Sequence, residues 1–149
     1  ESIPFRRERG CKSYMKAQGN TSEAKVIAEL VSLDITVLTP FGDNESYDIV
    51  VDKGQFQKVQ VKTARLDNGS IKAGLRRTNM TSDGAQHKTY SESEVDVFAL
   101  YCPENDNCYW VNFEDCGQTK VWLRVDEENS QYCNKEIKWA EDYEISNVL

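Results

Sequence analysis

At 149 residues, with 39% hydrophobic and 29% charged residues, the chain has the composition of an ordinary globular domain rather than a disordered, fibrous or disulfide-stapled one. A chain of this length buries enough surface to fold without covalent staples. No stretch nears the roughly 20 apolar residues of a membrane span, and no signal-peptide h-region is visible.

The net charge of -7 argues against a uniformly basic nucleic-acid binder, yet the charge is unevenly placed. Between Lys62 and Tyr90, six basic residues face two acids, a local charge of about +4. From Ser91 to Leu149, 14 acids outnumber four bases. Phosphate binding depends on the potential at the contact face, so the middle third is the expected polyanion face. The acidic last third is expected to be a solvated face turned away from it, or a surface for a basic partner. The chain opens at Glu1 rather than Met, so a fragment or a processed product is expected as readily as a whole protein.

Residues Glu1 to Asn20 are polar and basic and lack an apolar period. They predict an N-terminal arm, with Arg6, Arg7 and Arg9, or a poorly packed first helix. A helix is predicted over Ser22 to Ser32, with Thr21 or Ser22 as N-cap and Ala24, Ile27, Ala28, Leu30 and Val31 as its apolar stripe. Strands follow over Ile35 to Leu38, Tyr47 to Asp52 and Phe56 to Ala64. In the last of these, Phe56, Lys58, Gln60 and Lys62 alternate with Gln57, Val59, Val61 and Thr63. Asp67-Asn68-Gly69 is a hairpin signal, after which Ile71 to Leu75 is expected to pair back. Arg76 to Thr89 lacks apolar anchors and predicts a mobile loop. Val95 to Cys102 is the most apolar strand and the expected centre of the sheet, with Tyr109 to Phe113 as its hairpin partner. A strand at Val121 to Val125 and a closing helix at Lys135 to Tyr143 complete the order. One mixed α/β domain over 1–149 is expected, with 1–20 as its basic arm.

The five cysteines form no CxxC pair and the sole histidine, His87, has no ligand at metal spacing, so a structural zinc is not expected. Cys102 and Cys108 flank one turn, which allows a cross-strand contact or a disulfide; reduced thiols are the preferred reading. Trp110, Trp122 and Trp139 are read as core.

The chemistry-bearing pattern is an acid on the first helix (Glu23), an acid at the next strand (Asp48), then Gln60 and Lys62 two residues apart on one strand face. Phosphodiester hydrolysis needs such a set: oxygen donors for a hard divalent ion, and a cation beside the attacked phosphate. Spacing alone is weak. Asp48 reads equally well as a strand-start residue, Gln60 and Lys62 as a solvated face, and Glu23 as an acid favourable to a helix N-terminus.

The segments Thr21-Ser22-Glu23-Ala24-Lys25-Val26, Phe41 to Val51 and Val59-Gln60-Val61-Lys62-Thr63-Ala64 resemble the PD-(D/E)XK nuclease superfamily, as do Val95 to Tyr101 and Tyr109-Trp110-Val111. They are most similar to its small group I intron-type homing endonuclease branch, in which Gln replaces the acid of the (D/E)XK step. The resemblance runs from about Gly19 to Tyr143. It implies a restriction-endonuclease-like core, a central mixed sheet flanked by helices. It also implies catalytic residues Glu23, Asp48, Gln60 and Lys62, with Glu23, Asp48 and Gln60 around Mg²⁺ or Mn²⁺. Gln60 departs from the superfamily's usual acid and removes one charge from that set.

On this core, Lys25, Arg65, Lys72, Arg76, Arg77 and Lys88 become candidate DNA contacts. The expected function is a metal-dependent endodeoxyribonuclease, cytoplasmic, acting on double-stranded DNA. A homo-oligomer, dimer or tetramer, is expected because one protomer carries one site, and no membrane is involved. The alternatives are a DNA-junction resolvase, a toxic nuclease domain of a larger secreted protein with an immunity protein as partner, and a non-catalytic DNA-binding module.

Overall fold

The computed structural model describes residues 11–126 and 136–149, with side chains from residue 14. The expected Arg6, Arg7 and Arg9 arm and Cys133 lie outside the described residues, as does the start of the predicted closing helix.

The first helix, α1 (Cys11–Ser32), begins well before the predicted Ser22. Thr21 and Ser22 are therefore not caps. They sit inside the helix, and their hydroxyls donate to the carbonyls one turn back, Ala17 at 2.9 Å and Gln18 at 3.1 Å. The buried line is Ser22, Val26 and Leu30, spaced by four, with Ile27 half-buried beside it; Ala24, Ala28 and Val31 of the predicted stripe are exposed. The helix ends in a Schellman motif. Ile35 N–H donates to Leu30 and Asp34 N–H to Val31, each at 3.0 Å, with Asp34 at φ 60°.

Ten strands follow: β1 (Thr36–Leu38), β2 (Ile49–Asp52), β3 (Phe56–Thr63), β4 (Arg65–Asp67), β5 (Ser70–Gly74), β6 (Arg77–Thr81), β7 (Gly84–Lys88), β8 (Val97–Cys102), β9 (Asn107–Asn112) and β10 (Lys120–Arg124). The main sheet has the order β1-β2-β3-β8-β9, antiparallel throughout except where β3 and β8 run parallel. The expected central mixed sheet is thus present, and β8 lies inside it, buried along its whole length.

The residues of β8 explain why it is continuously apolar. Val97, Ala99 and Tyr101 face α1 and the short C-terminal helix α2 (Ile145–Val148), in a core with Val26, Leu30, Ile49, Val51, Val59, Val61 and Ile145. Phe98, Leu100 and Cys102 face a second core with Ile71, Leu75, Val111, Val121 and Leu123. A strand covered on both faces has no position where a polar side chain stays wet. Leu100→Ala is expected to lower stability by about 3 kcal/mol, read as a shift of the urea midpoint at unchanged slope, because Leu100 has no exposed surface between the two sheets.

That second core is roofed by a small sheet of order β10-β5-β4, so one face of the main sheet carries helices and the other a sheet. The Asn68-Gly69 turn forms as expected, with φ of 48° and 70°, but Ile71 to Gly74 pairs with β4 and β10 instead of returning to β3. Arg76 to Thr89 is not an irregular loop. Most of it is the two-stranded ribbon β6–β7, closed by Ser82-Asp83 and exposed at every residue but Arg77. The predicted closing helix is a 3₁₀ turn at Ala140–Tyr143 followed by α2, while Trp139 bridges to Arg124.

Trp110 is buried as expected and Trp139 half-buried, but Trp122 is 58% exposed under Lys72, whose ammonium lies 5.0 Å from the ring centroid. Cys102, Cys108 and Cys116 are free thiols. Cys102 and Cys108 belong to the two opposite cores, so their sulfurs point to different faces of one sheet and cannot bridge.

Candidate active site

Alternation along β3 sends Val59 and Val61 into the helical core, and so sends Gln60 and Lys62 to the other face. Their register partners on β8 are Phe98 and Leu100. Asp48 sits immediately before β2. Its amide donates to the Val59 carbonyl at 2.9 Å, and its Oδ2 accepts from Val61 N–H at 2.9 Å. This carboxylate therefore takes the place of a strand partner for β3 where β2 ends, and it is fixed by backbone on both sides. Glu23 approaches from α1, which is locked to the same end of β3 by Ser22 Oγ and Thr63 Oγ1 at 2.5 Å.

Asp48 is the electrostatic centre of the group. Burial lifts its carboxyl above the ordinary range, while the Val61 amide and the Lys62 charge pull it down. Glu23 is raised by partial burial and then by the Asp48 charge. Burial pulls the Lys62 ammonium below the usual lysine range; Asp48 opposes this and Arg77 adds to it. Glu23, Asp48 and Lys62 are thus coupled through one carboxylate, and the structure brings them together. Lys62 Nζ also donates to the Arg76 carbonyl at 3.4 Å and lies 5.1 Å from the Tyr90 ring centroid. Gln60 is half-buried, with its Nε2 donating to the Val61 carbonyl at 3.4 Å.

Glu23 supplies a test of this coupling. A carboxyl raised in the fold binds more protons than in the unfolded chain, so its stability contribution is lost as pH rises from 4.5 through the folded value. Glu23→Gln should remove that cost. Without divalent metal, the variant should melt higher than the wild type at pH 7, a gap that closes as pH falls to about 4.5.

The expected DNA contacts separate into two groups. Arg76, Arg77 and Lys88 stand at the root of the β6–β7 ribbon beside Lys62. Arg77 Nη1 and Lys88 Nζ each lie 3.9 Å from Glu94 Oε1, and Glu94 also accepts from Ser91 N–H at 2.9 Å. The others are further out. Lys25 is paired with Asp106 at 2.9 Å, alongside the Tyr101 hydroxyl at 2.7 Å from the same oxygen. Lys72 is paired with Asp67 at 3.1 Å on the small sheet, and Arg65 is exposed on β4 near Glu104. His87 is exposed, with Nδ1 3.2 Å from the Thr78 hydroxyl.

The PD-(D/E)XK endonuclease family matches residues 14–146. The chain belongs to the PD-(D/E)XK endonuclease family. Its fold is also that of a solved bacterial homing endonuclease, with a TM-score of 0.68 over 88% of each chain at 23% identity. Among the curated proteins, no sequence matches.

Two residues beside this candidate site were not singled out from the sequence. Tyr90 stands over Lys62, and burial followed by the Asp48 charge pushes its phenol to about 12. It is the sole Phe, Tyr or Trp between Gly74 and Val95, which was the available signal. Glu94 clamps the ribbon root, and the Ser91-x-x-Glu94 spacing before the apolar run at Val95, a capping-box pattern, was the available signal.

The donor set of this PD-(D/E)XK chain fits a hard divalent cation. Glu23, Asp48 and Gln60 offer oxygen only, as Mg²⁺ and Mn²⁺ prefer. The two raised carboxyls are groups whose charge a cation would compensate. Among the described residues no group of three or more His, Cys, Asp or Glu is placed to hold a metal ion, and the third donor of this set is the neutral Gln60 amide.

Proposed function

We propose that the chain is a Mg²⁺- or Mn²⁺-dependent endodeoxyribonuclease acting on double-stranded DNA through Glu23, Asp48, Gln60 and Lys62. The observation that carries this reading is the meeting of Asp48, Glu23 and Lys62 where β2 parts from β3, with Asp48 fixed by the Val59 carbonyl and the Val61 amide. Asp48, Glu23 and the Gln60 carbonyl oxygen would hold the ion. The bound ion would supply Lewis-acid neutralisation of the scissile phosphate and a more acidic water.

The chain's own residues do the rest. Asp48 and Glu23 present fixed negative charge without needing to move, because one is tied to β3 and the other to a helix locked on Thr63. Lys62 sits on a rigid strand and places a desolvated cation beside Asp48, suited to orienting a water or to stabilising charge that grows on the phosphate. Arg77 and Lys88 add positive potential at the mouth of the site. One protomer holds one such set, so severing both strands calls for a dimer or higher homo-oligomer. No helix among the described residues is long and apolar enough to cross a membrane.

Supercoiled plasmid tests the reading. Incubation with the protein and Mg²⁺ is expected to give nicked and then linear DNA, and EDTA is expected to stop both. Tight plasmid binding without any strand break in either Mg²⁺ or Mn²⁺ would show a binding module instead.

A further inference from the structure

The β6–β7 ribbon is a costly feature unless something covers it. It packs no hydrophobic face, every residue except Arg77 is exposed, and it is joined to the body at its root by Arg77, Lys88 and Glu94. Cross-strand pairs share a face. The register therefore sorts the ribbon into two sides: Arg77 with Lys88, Asn79 with Gln86 and Thr81 with Gly84 on one, Thr78 with His87 and Met80 with Ala85 on the other. On the second side the Thr78 hydroxyl and His87 satisfy each other. On the first, the Asn79 and Gln86 amides stand opposite one another, exposed, with no hydrogen-bond partner among the described residues.

We propose that the ribbon enters the major groove of duplex DNA beside the cut, with Asn79 and Gln86 reading adenine and Arg77 and Lys88 seated on the flanking phosphates. This rests on the nuclease reading of the adjoining site. Three observations carry it. The side bearing the two amides also bears the two cations, so backbone contact at the root delivers the amides to base edges. The same root touches the candidate site, through the Arg76 carbonyl on Lys62 and the Arg77 charge felt by Lys62. A two-stranded ribbon fits the roughly 12 Å major groove, and an Asn or Gln amide matches the N6 and N7 edge that adenine presents there with two hydrogen bonds.

The test compares wild type with Asn79→Ala/Gln86→Ala on a pool of randomised duplexes in Mg²⁺, sequencing the cut ends. Wild-type ends should show adenine enriched about 5-fold or more at a fixed offset from the cut. The double variant should lose that bias while melting at the same temperature as the wild type. A bias unchanged in the double variant, or no bias in the wild type, overturns the proposal. The same pool is also selected by binding alone, with Lys62→Ala protein. If wild type binds but never cuts, a bound-sequence bias that depends on Asn79 and Gln86 keeps the ribbon's role and rejects the hydrolase reading. If neither protein binds duplex DNA, both are rejected.

Discussion

Lys62→Ala is expected to slow plasmid nicking by about 10²–10³-fold, the usual loss when one fixed donor to a charged transition state is removed. Lys62 is half-buried, and its surroundings narrow what can replace it. The ammonium faces the Arg76 carbonyl, the Tyr90 ring and the charge of Asp48. A planar guanidinium has different reach and donor geometry, so Lys62→Arg should recover little of the rate. Desolvation holds the lysine below its ordinary 10.5, so its proton is lost at lower pH than that of a free lysine. If the protonated form stabilises the transition state, activity should decline on the alkaline side below pH 10.5, and that decline should be absent in the residual activity of Lys62→Arg. Wild-type nicking rates in Lys62→Ala would remove this residue from the chemistry.

Asp48→Asn should abolish both nicking and the thermal stabilisation given by divalent metal. The substitution is nearly isosteric, and an amide oxygen can still accept from Val61 N–H, so β3 keeps its partner and the fold should survive. What disappears is the charge. At a metal concentration 100 times its dissociation constant, the wild type should gain about 2.7 kcal/mol from binding. The variant should show almost none of that rise in melting scans with and without Mg²⁺ or Mn²⁺. The complementary change, Gln60→Glu, restores an acid to a site that has only two and should enlarge the metal-induced shift. An equal shift in wild type and Asp48→Asn would place the ion elsewhere.

The two variants separate roles that a single loss of activity would merge. Lys62→Ala should keep the metal-induced shift while losing the rate, and Asp48→Asn should lose both. Glu23→Gln belongs with Asp48→Asn in activity but differs in stability, since it relieves a raised carboxyl in the metal-free protein. Groups held at a cost in the empty fold are a common mark of a functional site.

Much of this was legible in the chain itself. Two-residue alternation in β3 placed Gln60 and Lys62 together on one face, because pleating depends only on backbone geometry. Asn68-Gly69 announced its turn for an equally local reason: two consecutive residues must accept positive φ. The apolar run of β8 announced a strand inside the sheet, although the middle position belongs to β3. The family resemblance, carried by the residues around Glu23, Asp48 and Lys62, pointed to the nuclease family that matches residues 14–146.

Other features depended on contacts between distant segments. Helix α1 reads as amphipathic in more than one phase, and only docking on β3 and β8 selected Ser22, Val26 and Leu30 as its buried line. The alternation of Ile71, Ala73 and Leu75 says that one face is buried, but it does not say which sheet the strand joins; β10, far along the chain, decides that. The β6–β7 ribbon has no apolar period to betray it, since its strands are held by backbone hydrogen bonds and a two-residue turn. Residue types and spacing, being local, determined most of the strands and the turn, and the family resemblance supplied the candidate quartet. Whether Asp48, Glu23 and Lys62 share one electrostatic field, and which cations gather beside them, was decided by the tertiary structure alone, because charge coupling depends on distance and desolvation rather than on separation along the chain.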